Sequence, residues 1–284
     1  MIKLWNISNK RKVPNISTLV ADIYSIAGKV PLDVSVKLEP QQPKGKLRLS
    51  QMKEQCPRAL WYSIHHPELA EPLPPYALIK YNYGHFIEAM AIAYAKAAGH
   101  EVVGEQDAII LDGVEGHRDC VIDGCIVDVK STSSLGFKKF KTGSIEEDDP
   151  FGYLDQLDGY VVGSADDPCV TCKDRGYLLA IDKQLGHICL YEHRVRPDRI
   201  TKRIAECKRI VGCDIPPECT CKSIPDGKSG NFKLDTQASY SAYKYACKPL
   251  LRTFLYASGP VYLTKVERKP DVPEVDKNGK IVYH

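Results

Sequence analysis

Gly116-His117-Arg118-Asp119-Cys120-Val121-Ile122-Asp123-Gly124-Cys125-Ile126-Val127-Asp128-Val129-Lys130 is the stretch that decides how this chain is read. Asp123-Gly124 is the dipeptide best suited to a two-residue hairpin turn, where both central residues need positive φ. Counting outward, Ile122 faces Cys125, Val121 faces Ile126, Cys120 faces Val127 and Asp119 faces Asp128. The last pair falls at a non-hydrogen-bonded position, where Cα atoms approach to about 4.5 Å and like charges destabilise the sheet. Val121, Ile126, Val127 and Val129 mark both strands as largely buried, so the opposed carboxylates require a counter-charge. A hard divalent cation is the economical one, because it takes carboxylate oxygens as ligands and keeps waters for chemistry. Strand alternation puts Lys130 on the same face as both acids. A metal so held polarises a phosphoryl oxygen and lowers the pKa of bound water, and a lysine beside it orients that water or stabilises the transition state, which together describe phosphodiester hydrolysis. The bland alternative is an ordinary hairpin in which Asp128 pairs with Lys130 or Arg118.

Two flanking segments favour the metal site. Gly84-His85-Phe86-Ile87-Glu88 opens a helix whose apolar residues Ile87, Met90, Ala91, Tyr94 and Ala98 recur at helical spacing. Glu88 shares a stripe with Gly84, Ala91 and Ala95, small residues that let the helix approach a sheet and bring the glutamate toward the metal. Downstream, Tyr153 to Tyr160 also reads as helix, with Gln156 and Tyr160 one turn apart on one face. Both can hydrogen-bond a phosphate or hold the lysine.

Taken in order, Glu88, Gly116-X-X-Asp119, Asp128-X-Lys130 and Gln156-X-X-X-Tyr160 resemble the PD-(D/E)XK nuclease superfamily, in its branch of RecB-type nuclease domains, CRISPR-adaptation nucleases and phage (lambda-type) exonucleases. The resemblance spans about residues 50 to 250. It implies an α/β, restriction-endonuclease-like core, a central mixed β-sheet flanked by helices, and a metal-dependent deoxyribonuclease, most simply an exonuclease of phage or mobile-element recombination. Carried over, Asp119 and Asp128 ligate Mg2+ or Mn2+ together with the Val129 carbonyl, Glu88 completes or supports the shell, Lys130 acts on the water, and Gln156 and Tyr160 position substrate and lysine. DNA ends are the implied substrate. A single-strand annealing or recombinase protein is the implied partner, and a homo-oligomer is allowed. His85 reads as a solvated or capping side chain. The other reading is a non-catalytic nucleic-acid-binding protein on the same scaffold, with an endonuclease as a third.

Many relatives in that branch carry an iron-sulfur cluster, and Gln55-Cys56-Pro57-Arg58-Ala59-Leu60-Trp61-Tyr62 is similar to the segment supplying its first cysteine. At the usual spacing the remaining positions are Ala238, Ser241 and Cys247. Two thiolates are missing from the four a cubane needs, so no iron-sulfur cluster is expected, although Cys56 and Cys247 can still lie near each other. Cys169-Val170-Thr171-Cys172 has metal-knuckle spacing and could join Cys219 and Cys221. The separation fits no standard ribbon or finger, so zinc is not expected, and the alternative is a loop of reduced thiols. Cys120, Cys125 and Cys189 read as small core residues.

At 284 residues with a net charge of +3, the chain can bury a substantial core but is only mildly basic. Eleven cysteines and no signal-like segment point to a reducing, cytoplasmic setting, and no apolar run is long enough for a bilayer. DNA contact therefore has to come from local patches. Lys138, Lys139 and Lys141, interleaved with Phe137 and Phe140, are expected to grip backbone and stack a base. The basic residues between Arg194 and Arg209 are either a second patch or a solvated helix face. Gly227-Lys228-Ser229 is no phosphate loop, because Lys222 stands where the first glycine belongs.

The expected layout is an N-terminal arm or lid over 1–49, with a short helix around Ile16 to Ala27; a nuclease core over 50–214; and a C-terminal segment over 215–284, largely irregular. Within the core we expect helices at Ser50 to Ile64, around Glu88, around Gln156 and at Pro197 to Val211. Strands are expected at about 101–111, 116–122, 125–131, 175–182 and 187–194.

Overall fold

The computed structural model describes residues 14–38, 45–54, 56–73 and 75–282. Residues 1–13 of the expected arm, most of the Pro40 to Lys46 connection and Gln55 lie outside the described residues. The chain enters through α1 (Leu19–Ile26), α2 (Pro57–His65) and α3 (Pro75–Ala97). The sheet region follows as β1 (Val102–Val103), β2 (Ala108–Leu111), β3 (Val114–His117), β4 (Cys120–Ile122), β5 (Cys125–Thr132), α4 (Ser134–Thr142), α5 (Tyr153–Gly163), β6 (Arg175–Asp182), β7 (Ile188–Arg194) and α6 (Pro197–Val211). The C-terminal part contains β8 (Ser223–Pro225), β9 (Phe232–Leu234), α7 (Thr236–Tyr240), α8 (Lys244–Cys247), β10 (Arg252–Tyr256), β11 (Gly259–Lys265) and β12 (Glu274–Val275).

The central sheet has the order β1-β4-β5-β6-β7, with β5 and β6 parallel and every other neighbour antiparallel. It is a mixed sheet flanked by helices, an α/β fold of the restriction-endonuclease-like type. Alternation along the strands builds two apolar layers. Cys120, Ile122, Val127, Val129, Tyr177, Leu179 and Ile181 face α1 and α3 through Leu19, Ile23, Ala91, Ile92 and Ala95. Val121, Ile126, Leu178 and Ala180 face the other way, against Trp61, Phe137, Phe140, Leu157, Tyr160 and Ile200. The helix expected in an N-terminal arm is thus packed into the core, with Leu19 fully buried.

Several elements differ from expectation for local reasons. The helix expected from Ser50 starts only at Pro57, whose missing N–H suits a first helical position; a short 3-10 turn at Leu49–Gln51 precedes it. The strand expected over 101–111 breaks where Gly104 and Gln106 take φ of 62° and 57°, and the one expected over 116–122 breaks at Arg118-Asp119. The released pieces, β2 and β3, form a separate ribbon around Asp112-Gly113, a second positive-φ Asp-Gly turn. Lys138, Lys139 and Lys141 sit on α4, capped by Ser133 and ended by left-handed Gly143. Phe137 and Phe140 point into the core from that helix and cannot stack a base. The C-terminal segment is not irregular: its strands form a second sheet of order β12-β10-β11-β9-β8.

Candidate active site

The hairpin forms in the expected register, Cys120 with Val127, Val121 with Ile126 and Ile122 with Cys125, around Asp123 and Gly124 at φ of 50° and 77°. Asp119 stands at its mouth, immediately before β4, and its Oδ2 accepts a hydrogen bond of 2.7 Å from the Val129 N–H. Asp128, in the middle of β5, is only 2% exposed. Its Oδ2 lies 2.5 Å from Lys130 Nζ and has no well-directed hydrogen-bond donor among the described residues. Arg118, the other candidate counter-ion and itself buried, turns away to pair with exposed Asp107 at 2.9 Å and with Asp167 at 2.6 Å. That leaves Lys130 as the cation of the acidic pair.

Downstream, the helix residues join the same group. Lys130 Nζ donates to Gln156 Oε1 at 3.4 Å, and Gln156 Nε2 donates to the Tyr160 hydroxyl at 2.6 Å. Tyr160 is buried against β3 because residue 116 has no side chain: a Cβ there would come within 2.9 Å of both Leu49 and Tyr160 Cε1. The glycine before Asp119 therefore sets the depth of the tyrosine that holds Gln156, and through it the lysine. The ring of Tyr153 lies 4.7 Å from Lys130 Nζ, a cation–π contact from the first turn of α5.

Glu88 arrives from the middle of α3, the helix on the opposite layer, which starts at Pro75 and not at Gly84 as expected, and is fixed by a 2.6 Å hydrogen bond from Gln106 Nε2 to its Oε1. Close approach of α3 to the sheet runs through Ala91 and Ala95, both buried; Gly84, expected on that stripe, faces open space. His85 is solvent-exposed in the middle of α3, with the ring of Tyr81 5.4 Å away.

The electrostatics of the cluster are those of too many acids in one low-dielectric place. Burial, then the charges of Asp128 and Glu88, push the Asp119 carboxyl well above its usual range, with Lys130 and the Val129 N–H opposing. Burial likewise raises Glu88, Gln106 and His85 act against it, and Asp128 adds to the rise. Burial acts to lower Lys130, but Asp128 and Asp119 more than offset it, so the ammonium is held above its ordinary value. Lys53, a residue sequence reasoning missed, has its pKa lowered by burial and then by repulsion from Lys130, although its side chain reaches solvent. It lies against left-handed Gly152, where any Cβ would collide with Lys53 Cβ at 2.5 Å and Cα at 2.7 Å. Carboxylates of this kind suit a hard, oxygen-seeking cation, and the Asp128 Oδ2 beside Lys130 is the donor such an ion would take.

On α4, Lys138 and Lys141 are exposed, whereas Lys139 is engaged by Asp148 at 2.5 Å. The basic residues of α6 are largely used within the chain, Arg199 with Asp155 at 2.8 Å and Arg203 with the Met52 carbonyl at 2.9 Å and Glu206 at 2.7 Å.

The cysteines regroup. Cys172 is disulfide-paired with Cys125, and Cys169 is free and exposed. The Cys169-X-X-Cys172 pair therefore does not join Cys219 and Cys221, and Cys125, buried in the core as expected, is paired with Cys172. Cys56 and Cys247 do meet, at 4.0 Å between sulfurs. What completes their group is Cys219 and Cys221, not positions 238 and 241: the four Sγ atoms lie within 4.8 Å of one another. Ala238 is buried on α7, and the buried Ser241 hydroxyl accepts a hydrogen bond from the Tyr243 N–H at 3.3 Å. The Cys-X-Cys spacing of Cys219 and Cys221 signals a ligand pair, but it does not say which distant thiols join them.

No family model and no curated protein sequence matches the chain. Among solved structures, it is similar to the crystal structure of SSO0001, at 13% identity and a TM-score of 0.42 over 82% of this chain and 95% of that one. It is also similar to an alkaline exonuclease from Laribacter hongkongensis, at 15% identity and a TM-score of 0.37 over 59% of this chain and 86% of that one. Among the described residues no helix is long and apolar enough to cross a membrane.

Proposed function

We propose that this protein is a divalent-metal-dependent deoxyribonuclease, an exonuclease that processes DNA ends in phage or mobile-element recombination. The observation that carries the reading is the buried Asp128–Lys130 pair at 2.5 Å beside Asp119, whose carboxylate accepts from the Val129 N–H at 2.7 Å, with the Asp119 and Glu88 carboxyls pushed upward by burial and by their acidic neighbours. Asp119, Asp128, the Val129 carbonyl and Glu88 would hold Mg2+ or Mn2+. When bound, such an ion polarises a phosphoryl oxygen and lowers the pKa of coordinated water.

The chain's own residues supply the rest. Gln156 and Tyr160 orient Lys130, whose ammonium is placed to donate to negative charge developing on the scissile phosphate. Tyr153 restricts the lysine by covering its head. Lys53 at the rim and Lys138 and Lys141 on α4 are the backbone-gripping cations of this reading. A single-strand annealing or recombinase protein is the proposed partner.

The test is digestion of end-labelled linear DNA with Mg2+ or Mn2+. The wild type is expected to degrade it from the ends, and Asp128→Asn and Lys130→Met proteins that remain folded are expected to slow by about two orders of magnitude or more. Equal activity in all three would contradict the assignment. Tight DNA binding with no metal-dependent cleavage would support the non-catalytic scaffold instead.

A further inference from the structure

Three aromatic rings lead outward from Lys130. Tyr153, on the first turn of α5, covers the ammonium at 4.7 Å. Phe151 follows, its ring centroid 5.6 Å from that of Tyr153 and tilted by 34°, and Tyr240, at the end of α7, meets Phe151 edge-on at 5.7 Å. Phe140 backs Tyr153 from within the core at 6.0 Å. Exposure rises along the row: Tyr153 and Phe151 are half-buried, whereas Tyr240 is 70% exposed. The outermost ring therefore adds little to the core, although it stands only two rings from the lysine of the acidic cluster.

Two local contacts fix this arrangement. Residue 152 is glycine at φ 60°, so the chain bends between Phe151 and Tyr153 and admits Lys53, whose Cβ lies 2.5 Å from where a side chain at 152 would begin. Gln237, about one turn before Tyr240 on α7, donates to the Lys53 carbonyl at 3.1 Å. Lys53 is thereby held beside the ring row, with its side chain reaching solvent and its ammonium near enough to Lys130 to be repelled by it.

We propose that Tyr153, Phe151 and Tyr240 form a base-stacking track, with Lys53 as its phosphate contact, that seats the unpaired nucleotides of a DNA strand whose backbone passes Lys130. Every base has a π-face, so a row of rings accepts any sequence, and a cation beside the row takes the phosphates. A base inside a duplex has both faces covered by its neighbours, so the track selects a single strand or a frayed end. It supplies the stacking that the buried Phe137 and Phe140 of α4 cannot. Tyr240 comes from the C-terminal segment, which thus sets strand preference for a site whose carboxylates lie in the core. That the ligand is DNA rests on the nuclease reading; the stacking does not depend on cleavage.

Fluorescence anisotropy with the full chain and no added divalent cation reads binding without cleavage. The wild type is expected to bind a labelled oligothymidylate about tenfold or more tighter than an abasic oligonucleotide of the same length. Tyr240→Ala should lose that difference, Tyr240→Phe should keep it, and Lys53→Ala should weaken both ligands alike and lower their salt dependence. A 2-aminopurine placed in the oligonucleotide should be quenched on binding to the wild type, a readout that needs no variant to fold. Equal wild-type affinity for the two oligonucleotides, unchanged binding in Tyr240→Ala, or equal losses in Tyr240→Phe and Tyr240→Ala would each overturn the proposal. So would self-association of the wild type that Tyr240→Ala abolishes, which would place the ring in a protein contact. Base-dependent binding in a wild type that cleaves nothing with Mn2+ would sink the nuclease reading and leave the track standing; cleavage without base dependence would sink the track alone.

Discussion

Replacing Gly116 by alanine adds one methyl group at the point where β3, Leu49 and Tyr160 come together. The new Cβ would sit 2.9 Å from Leu49 Cβ and Cδ1 and from Tyr160 Cε1, closer than real Cβ atoms approach their neighbours. Neither neighbour can retreat into solvent, since Leu49 is fully buried and Tyr160 is 3% exposed. Overpacking of this kind costs about 1–3 kcal/mol. Tyr160 also carries the hydroxyl that accepts from Gln156 at 2.6 Å, and Gln156 in turn holds Lys130. Displacing the ring therefore lowers activity as well as stability. Tyr160→Phe is the matched control: it leaves the packing alone, removes one hydrogen bond and should cost about 1 kcal/mol. Denaturant midpoints and single-turnover rates on linear DNA, measured for both variants, separate the two effects. The expected order of loss is Gly116→Ala above Tyr160→Phe in both measurements. A Gly116→Ala protein as stable and as active as the wild type would refute the close-packing argument.

Charge reversal at Lys138 and Lys141 should weaken DNA binding and reduce the dependence of log K on log salt by about 0.9 for each duplex phosphate that is no longer neutralised. Lys139→Ala, whose ammonium is already taken by Asp148, should change it little; equal effects at all three positions would count against the α4 patch. His193 is buried between Asp158 at 2.8 Å and Glu146 at 3.1 Å. Burial acts to lower its pKa, but those two partners raise it above the usual value. Its contribution to stability is then fully present below about pH 6.5 and is lost as pH rises through the raised folded value. The stability difference between wild type and His193→Gln should accordingly be largest in acid and shrink toward alkaline pH, and a difference that grows with pH would be the wrong sign.

The central hairpin is legible because its signals are local and agree: an Asp-Gly turn, alternating apolar residues and two acids at matching distances from the turn. β6 and α6 are legible for the same reason, a continuous apolar run in one and Pro197 with a clean amphipathic period in the other. The breaks at Gly104 and Gln106 are not, since a left-handed glutamine carries no sequence signature. Phe137 and Phe140 mislead because aromatic residues among lysines look alike on a binding surface and on one face of a short helix, and only the capping Ser133 and Gly143 distinguish the two. In the C-terminal segment, β10 and β11 meet around Ala257-Ser258, with the Gly cue, Gly259 at φ 120°, just after the two turn residues and not within them. The cysteine group is hidden by its long range: spacing rules assume ligands close in sequence, whereas here the fold brings Cys219 and Cys221 to Cys56 and Cys247.

The acidic cluster holds more carboxylates than Lys130 balances, and thermal unfolding of the wild type and Asp119→Asn, with and without Mn2+ at neutral pH, tests directly whether a metal ion supplies the remaining charge. Asp119 has its pKa raised in the folded state, so ionising it as pH rises costs folding stability. The asparagine removes that cost while its side-chain oxygen still accepts from Val129. Without metal, Asp119→Asn should therefore melt above the wild type. With Mn2+ the order should reverse, because an ion that binds only the folded wild type adds about 2.7 kcal/mol at a free concentration of roughly one hundred times its Kd. A wild type that melts above the variant in the absence of metal, and that gains nothing from Mn2+, would contradict the metal-site assignment.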